Sequence, residues 1–186
     1  TEIGTLRMSQ QTLRMLPSLG SEYDIMKSLQ LMPGIQCSTE GSNQIVVRGG
    51  SPDQNLIMLD DMPIYYSNHL GGLISIFNPY IIKDVKTIKG GFPAQYGGRL
   101  SSVIDIRTKD GNMKKFTGEI QLSPISTVMA IEGPIVKDKV SFVFSARKGM
   151  LDFYTGILSK ISDDVFIYSL YDFNLKVNSI ISPKSR

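Results

Sequence analysis

One cysteine and one histidine are all that the 186-residue sequence offers of the side chains that most often build redox and metal chemistry. Cys37 has no partner for an internal disulfide, and with only His69 beside it no zinc site of the usual ligand types can form. Cys37 is therefore expected to be an inert, small, buried residue, and no metal or other cofactor is expected. Charge of one sign is scarce too. A net charge of +3, carried by dispersed rather than clustered basic residues, is too slight to argue for nucleic acid as a partner. No apolar run approaches the ~20 residues of a membrane-spanning helix, which excludes a helical span but not a β-barrel, whose strands carry a much weaker signal. Thr1 opens the chain with neither a charged n-region nor an apolar signal core, and the lack of an initiator methionine leads us to expect a piece of a longer product.

What is present is ordinary for a folded chain: 41% apolar residues and 20% charged, with length enough for one domain or a domain plus an appendage. The sequence is organised around residues 44–64. Two β-rich apolar runs, Ile45–Val47 and Leu56–Leu59, flank Gly49-Gly50-Ser51-Pro52-Asp53, which predicts a strand, a reversal and a strand, a central hairpin. Because both runs are apolar on consecutive residues, both are expected to be covered on two faces. Arg48, at the end of a buried strand, then needs a fixed acidic partner. Upstream, residues 1–15 form a lead-in segment with a strand near Gly4–Met8. Ser21-Glu22-Tyr23-Asp24 has the form of a capping box, and Ile25, Leu29 and Met32 follow at helical spacing until Pro33-Gly34.

Downstream of Pro63, residues 64–72 mix Tyr65, Tyr66, Asn68 and His69 with glycine. Such a loop offers stacking faces and hydrogen bonds to a polar ligand, or is an ordinary surface loop in which Tyr and His pack. Leu73–Phe77 is expected as a short helix or turn, Ile81–Gly90 as a third strand, residues 90–98 as a tight loop and Val103–Thr108 as a fourth strand. Beyond a turn at Asp110-Gly111-Asn112 the pattern becomes strict alternation. Phe116, Gly118, Ile120 and Leu122, then Thr127–Gly133, then Val140–Arg147, then Tyr171–Ile181 predict four meandering strands, with residues 150–169 as a longer loop.

Several short motifs run in a fixed order: Asp24–Leu29 with Met32-Pro33-Gly34-Ile35, Val47-Arg48-Gly49, Leu59-Asp60-Asp61-Met62-Pro63, Ile88-Lys89-Gly90-Gly91, Gln95-Tyr96-Gly97-Gly98 and Val103–Lys109. Together they resemble the plug domain of TonB-dependent outer-membrane receptors. The resemblance implies an α+β plug domain over residues 16–110, with a small mixed four-stranded sheet and short helices. Residues 111–186 would then be the first antiparallel strands of an incomplete transmembrane β-barrel of the ~22-stranded plugged class. It implies a plug inside the barrel lumen, with its N-terminus toward the periplasm, that gates energy-coupled uptake of an external nutrient of siderophore, glycan or peptide class. The TonB complex would be reached through an upstream segment. Outer-membrane lipid would surround the strands, and the resemblance leaves room for a surface lipoprotein as a further partner. In the family, Arg-Gly steps latch onto glutamates of the barrel wall; the two positions here are Arg48 and Lys89, the second lacking the bidentate fork of arginine. Outward plug loops would bind ligand through Tyr65, Tyr66, His69, Gln95 and Tyr96.

Catalysis finds no support. Asp60 and Asp61 are adjacent, so in an extended strand they point to opposite faces, and no nucleophile or P-loop pattern accompanies His69 or the glycines. The alternative reading is a soluble α/β enzyme domain with a β-sheet appendage, binding an anion at its Gly-rich loops.

Overall fold

The lead-in carries the first strand, β1 (Thr5–Ser9), which pairs antiparallel with a strand almost eighty residues later, from Thr5↔Ile88 to Ser9↔Asp84. The structure, a computed structural model, describes residues 4–16, 23–161 and 166–181. By its internal contacts the chain separates into two units, one reaching Thr108 and one running on from Lys109.

In the first unit β1 is followed by α1 (Gln10–Met15), α2 (Ile25–Gln30), β2 (Ile35–Cys37), β3 (Ile45–Val47), β4 (Asn55–Leu59) and β5 (Met62–Pro63). After these come β6 (Asn68–His69), β7 (Ile74–Ser75), β8 (Ile82–Lys89) and β9 (Ser102–Thr108). The main sheet runs β1-β8-β9-β4-β5, mixed as predicted because β4 is parallel to β9 while every other pair is antiparallel. It has five strands rather than four: the lead-in and the two-residue β5 join it, and β3 leaves it for a separate ribbon with β2. β9 lies in the middle and has Val103, Ile104 and Ile106 fully buried, with Asp105 buried between them. Met8, Leu13, Ile25, Met26, Leu29, Val85 and Ile88 complete the core.

Four local expectations are corrected. The N-cap of α2 is Asp24, not Ser21, a position that lies outside the described residues. Asp24 Oδ1 accepts from the backbone N–H groups of Met26 (2.9 Å) and Lys27 (3.2 Å), and its Oδ2 accepts from Asn43 Nδ2 at 2.6 Å and Ser75 N–H at 3.0 Å. A carboxylate at a helix start satisfies two orphan amides and suits the dipole, so the helix begins at Ile25, the first residue of its buried stripe. Next, β3 and β4 make no hairpin. β3 pairs with β2, and between β3 and β4 the Pro52–Gln54 segment is a 3-10 turn closed by Ser51 and Gln54, which carries the chain from one sheet to the other. Cys37 is exposed although it shares a face with the buried Ile35, because it is the last residue of the short β2 strand, where Gln36 is exposed as well. Lastly, the turn expected within Leu73–Phe77 comes earlier. A 3-10 turn at Leu70–Gly72 joins β6 to β7, whose Asn68 and Ser75 are paired.

The second unit contains β10 (Thr117–Leu122), β11 (Ser126–Val136), β12 (Val140–Gly149), α3 (Leu151–Leu158) and β13 (Tyr171–Ser179). Its four strands form the predicted antiparallel meander in the order β10-β11-β12-β13, left open at both edges. The alternation is inverted relative to a soluble sheet. Phe116, Ile120, Leu122, Phe173, Leu175 and Val177 are exposed, whereas Arg147 on the opposite face is buried and pairs with Asp172 at 2.5 Å.

Candidate ligand cavity and latch

At one end of the main sheet, β4 and β9 begin and β8 ends, because the parallel register sets Asn55 beside Ser102 and the antiparallel register sets Lys89 beside Ser102. Two loops therefore lie side by side. The backbone N–H groups of Leu100 and Ser101 donate to the Gln54 carbonyl at 3.2 and 3.0 Å, and Ser101 Oγ donates to the Val47 carbonyl at 2.6 Å. Asn55 is buried and joins three segments: its amide donates to the Ile45 carbonyl at 2.8 Å and its oxygen accepts from Ser102 Oγ at 2.8 Å. Gly50 has no room for a Cβ, which would lie 2.7 Å from Ser101 Oγ.

Above this junction lies a cavity of about 540 Å³, with Met26 and Ile57 among its apolar lining and Asn55, Tyr65, Tyr66 and Arg99 among its polar lining. Its volume is within the range of small-molecule sites. Tyr65 and Tyr66 are 76% and 89% exposed, so their rings are offered to whatever enters. The Arg99 guanidinium stands 6.0 Å from the Tyr65 ring centre and donates through Nη1 to the Asp53 carbonyl at 2.5 Å. Hydrogen bonding from Ser51 holds the Asp53 carboxyl below its ordinary range, with Arg99 adding a smaller pull in the same direction. The mouth thus carries a cation, a carboxylate and two aromatic faces, a set suited to a polar ligand with planar groups.

Of the five predicted ligand residues, Tyr65 and Tyr66 line this cavity and three do not. His69 is half-buried on β6, and Gln95 and Tyr96 lie farther out on the 90–101 loop, where Tyr96 N–H closes a turn onto the Pro93 carbonyl at 3.0 Å. That loop reaches the tyrosines through Arg99 instead. Sequence reasoning missed both Arg99 and Asn55; the available signal was an arginine after Gly97-Gly98 at the entrance to a strongly apolar strand.

The two latch positions converge on Pro33-Gly34. Arg48 adopts a left-handed φ of 51° and its N–H donates to the Gly34 carbonyl at 3.1 Å, while Lys89 Nζ donates to the Pro33 carbonyl at 2.6 Å. The expected acidic partner of Arg48 is not found among the described residues. The side chain is exposed, so no desolvation demands one, and its guanidinium lies over glycine: a Cβ at Gly90 would come within 3.0 Å of Nη1.

At the opposite end of the sheet Asp60 and Asp61 are not extended. Both have left-handed φ, 47° and 69°, as the central pair of the β4–β5 reversal, the bend that type I′ turns require. Asp60 accepts from Thr108 N–H at 2.9 Å and from its hydroxyl; Asp61 and Arg107 form a two-pronged pair at 2.5 Å, and Arg107 also meets Asp105 at 2.9 Å. Arg107 holds the Asp61 carboxyl below the ordinary range, and the pairing pushes the guanidinium further from deprotonation. Each carboxylate is committed to a structural partner.

Residues 10–103, half of the chain, match the TonB-dependent receptor plug domain. The chain belongs to that family. The ferrienterobactin receptor of Escherichia coli strain K12 is 30% identical over 107 residues, 48% of this chain and 14% of that protein. The fold matches the siderophore receptor PirA from Pseudomonas aeruginosa with a TM-score of 0.64 at 20% identity, over 98% of this chain and 32% of that one. It matches the RagAB peptide importer with a TM-score of 0.61 at 14% identity, over 98% of this chain and 29% of that one. The chain thus spans a third or less of the length of these relatives. TonB-dependent receptors are outer-membrane transport proteins rather than enzymes, and the plug-family match carries the chain away from the enzyme alternative.

Proposed function

We propose that this chain is the plug and the first barrel strands of a receptor that occludes the barrel lumen and gates energy-coupled uptake of an external nutrient. The observation that supports the reading is the aromatic and charged cavity at one end of the main sheet, formed by loops within the residues that match the plug domain. Tyr65, Tyr66 and Arg99 form its floor, and it is flanked by His69 on β6 and by Gln95 and Tyr96 on the loop that carries Arg99. The plug covers residues 16–110, with its N-terminus toward the periplasm and the TonB complex engaged through a segment upstream of it. Residues 111–186 open the barrel wall in outer-membrane lipid. Arg48, exposed and facing no carboxylate among the described residues, is the half of the latch that reaches the barrel wall; Lys89 braces it through Pro33. A mixed aromatic and charged floor suits siderophores, glycans and peptides alike, and a surface lipoprotein would act outside this cavity.

Titration of the full receptor with a ferric siderophore, an oligosaccharide and a peptide panel tests the site. For whichever class binds, Tyr65→Ala combined with Arg99→Ala is expected to weaken affinity at least tenfold, as loss of about 1.4 kcal/mol or more would. Unchanged affinity removes the cavity from consideration.

A further inference from the structure

The connection between β12 and β13, expected as a plain loop, contains a helix of inverted polarity. On α3 Phe153, Tyr154, Ile157 and Leu158 are exposed at the spacing of one helical face, with Ile161 exposed just past its end beside Lys160, while Asp152, Thr155 and Gly156 take the half-buried side with Leu151. A helix laid on a protein from water shows the reverse arrangement. α3 is also held in place. Met150 N–H donates to the Ile125 carbonyl at 2.8 Å, Tyr154 Oη donates to the Pro124 carbonyl at 3.0 Å, and Lys148 pairs with Asp152 at 3.2 Å.

Lys148 fixes the side of the sheet from which the helix hangs. It ends the β12 row Val140, Phe142, Phe144, Ala146, and faces Tyr171 across the ladder, its ammonium 5.7 Å from the ring centre. Tyr171 in turn heads the exposed apolar row Phe173, Leu175, Val177 of β13. α3 therefore starts at the rim of the sheet's apolar face and, like that face, turns its own apolar residues outward. Two joined elements with the same inversion call for the same medium, and a partner protein seated on the helix alone leaves the sheet unexplained.

We propose that α3 is an interfacial helix lying on the membrane surface beside the barrel, its apolar face against lipid acyl chains, with Lys148 and Tyr171 marking the level of the headgroups. This rests on the reading that β10–β13 begin a lipid-facing barrel. Aromatic side chains at the hydrocarbon boundary with a cation beside them are the usual composition of that layer. The occupant is thus a phospholipid-type amphiphile.

The test uses the full receptor in phosphatidylcholine vesicles containing doxyl-labelled phosphatidylcholine. A fluorophore is attached through Ile157→Cys or Phe173→Cys, with Cys37→Ser and any other exposed thiol removed. Several-fold stronger quenching by lipid doxyl than by aqueous iodide is expected at both positions. Ile157→Cys reached by iodide while Phe173→Cys is reached by lipid overturns the interfacial helix and leaves the barrel reading intact. Ile157→Cys reached by neither quencher also overturns it, in favour of a covering protein. Phe173→Cys unreached by lipid overturns the barrel reading and the proposal with it.

Discussion

Asp60 and Asp61 occupy a backbone region that most side chains avoid, and the short acidic side chain reconciles that conformation with partners on β9. Asp60→Ala removes the contacts to Thr108 and leaves alanine at a φ of 47°, so a loss of about 2 kcal/mol is expected. Asp60→Asn, which tolerates the same backbone, should lose less. Urea unfolding of residues 1–109 expressed alone measures both. Arg48 gives the second prediction at this scale: Arg48→Ala in the full receptor should increase leakage of a small dye through the pore, and unchanged leakage would remove the latch. The sequence reading sets the Asp pair in an extended strand; two short acids between an apolar run and Met-Pro were the available signal of the reversal found here. Asn55 and Arg99 were not legible. Their importance comes from Asn55 meeting Ser102 and Arg99 meeting Asp53, both across more than forty residues of sequence.

Elements with a long period were legible, and elements set by distant partners were not. β8, β9 and the meander β10–β13 follow from apolar runs or strict alternation. β5, β6 and β7 are two residues each and carry no period, while the apolar runs of β3 and β4 are silent about whether they pair with each other or, as here, with β2 and β9. Gly133 shows what holds the meander together. It lies under the Phe116 ring, which also packs on Phe142 at 6.2 Å, and a Cβ at position 133 would stand 2.2 Å from Phe116 Cδ1. Gly133→Ala should push the ring off this edge and destabilise the β10–β11 pair by about 1–3 kcal/mol, read as a lower unfolding temperature of the receptor in detergent. An unchanged midpoint would mean that Phe116 packs elsewhere in the membrane.

The two units are built for different media. The first buries a core around β9 and presents loops with polar caps; the second exposes Phe116, Ile120, Phe173 and Leu175 and leaves two strand edges unpaired. Burial of such side chains is worth about 1.5–3 kcal/mol each, so in water the second unit must find cover. Residues 1–186 are expected to self-associate, bind an apolar dye or require detergent, while residues 1–109 stay monomeric. Light scattering of both chains in detergent-free buffer, with dye fluorescence on the same samples, tests this division most directly. Association or dye binding confined to the longer chain is the predicted result; a monodisperse, dye-free monomer of residues 1–186 would show that β10–β13 form a soluble sheet, contradicting the plug-and-barrel account.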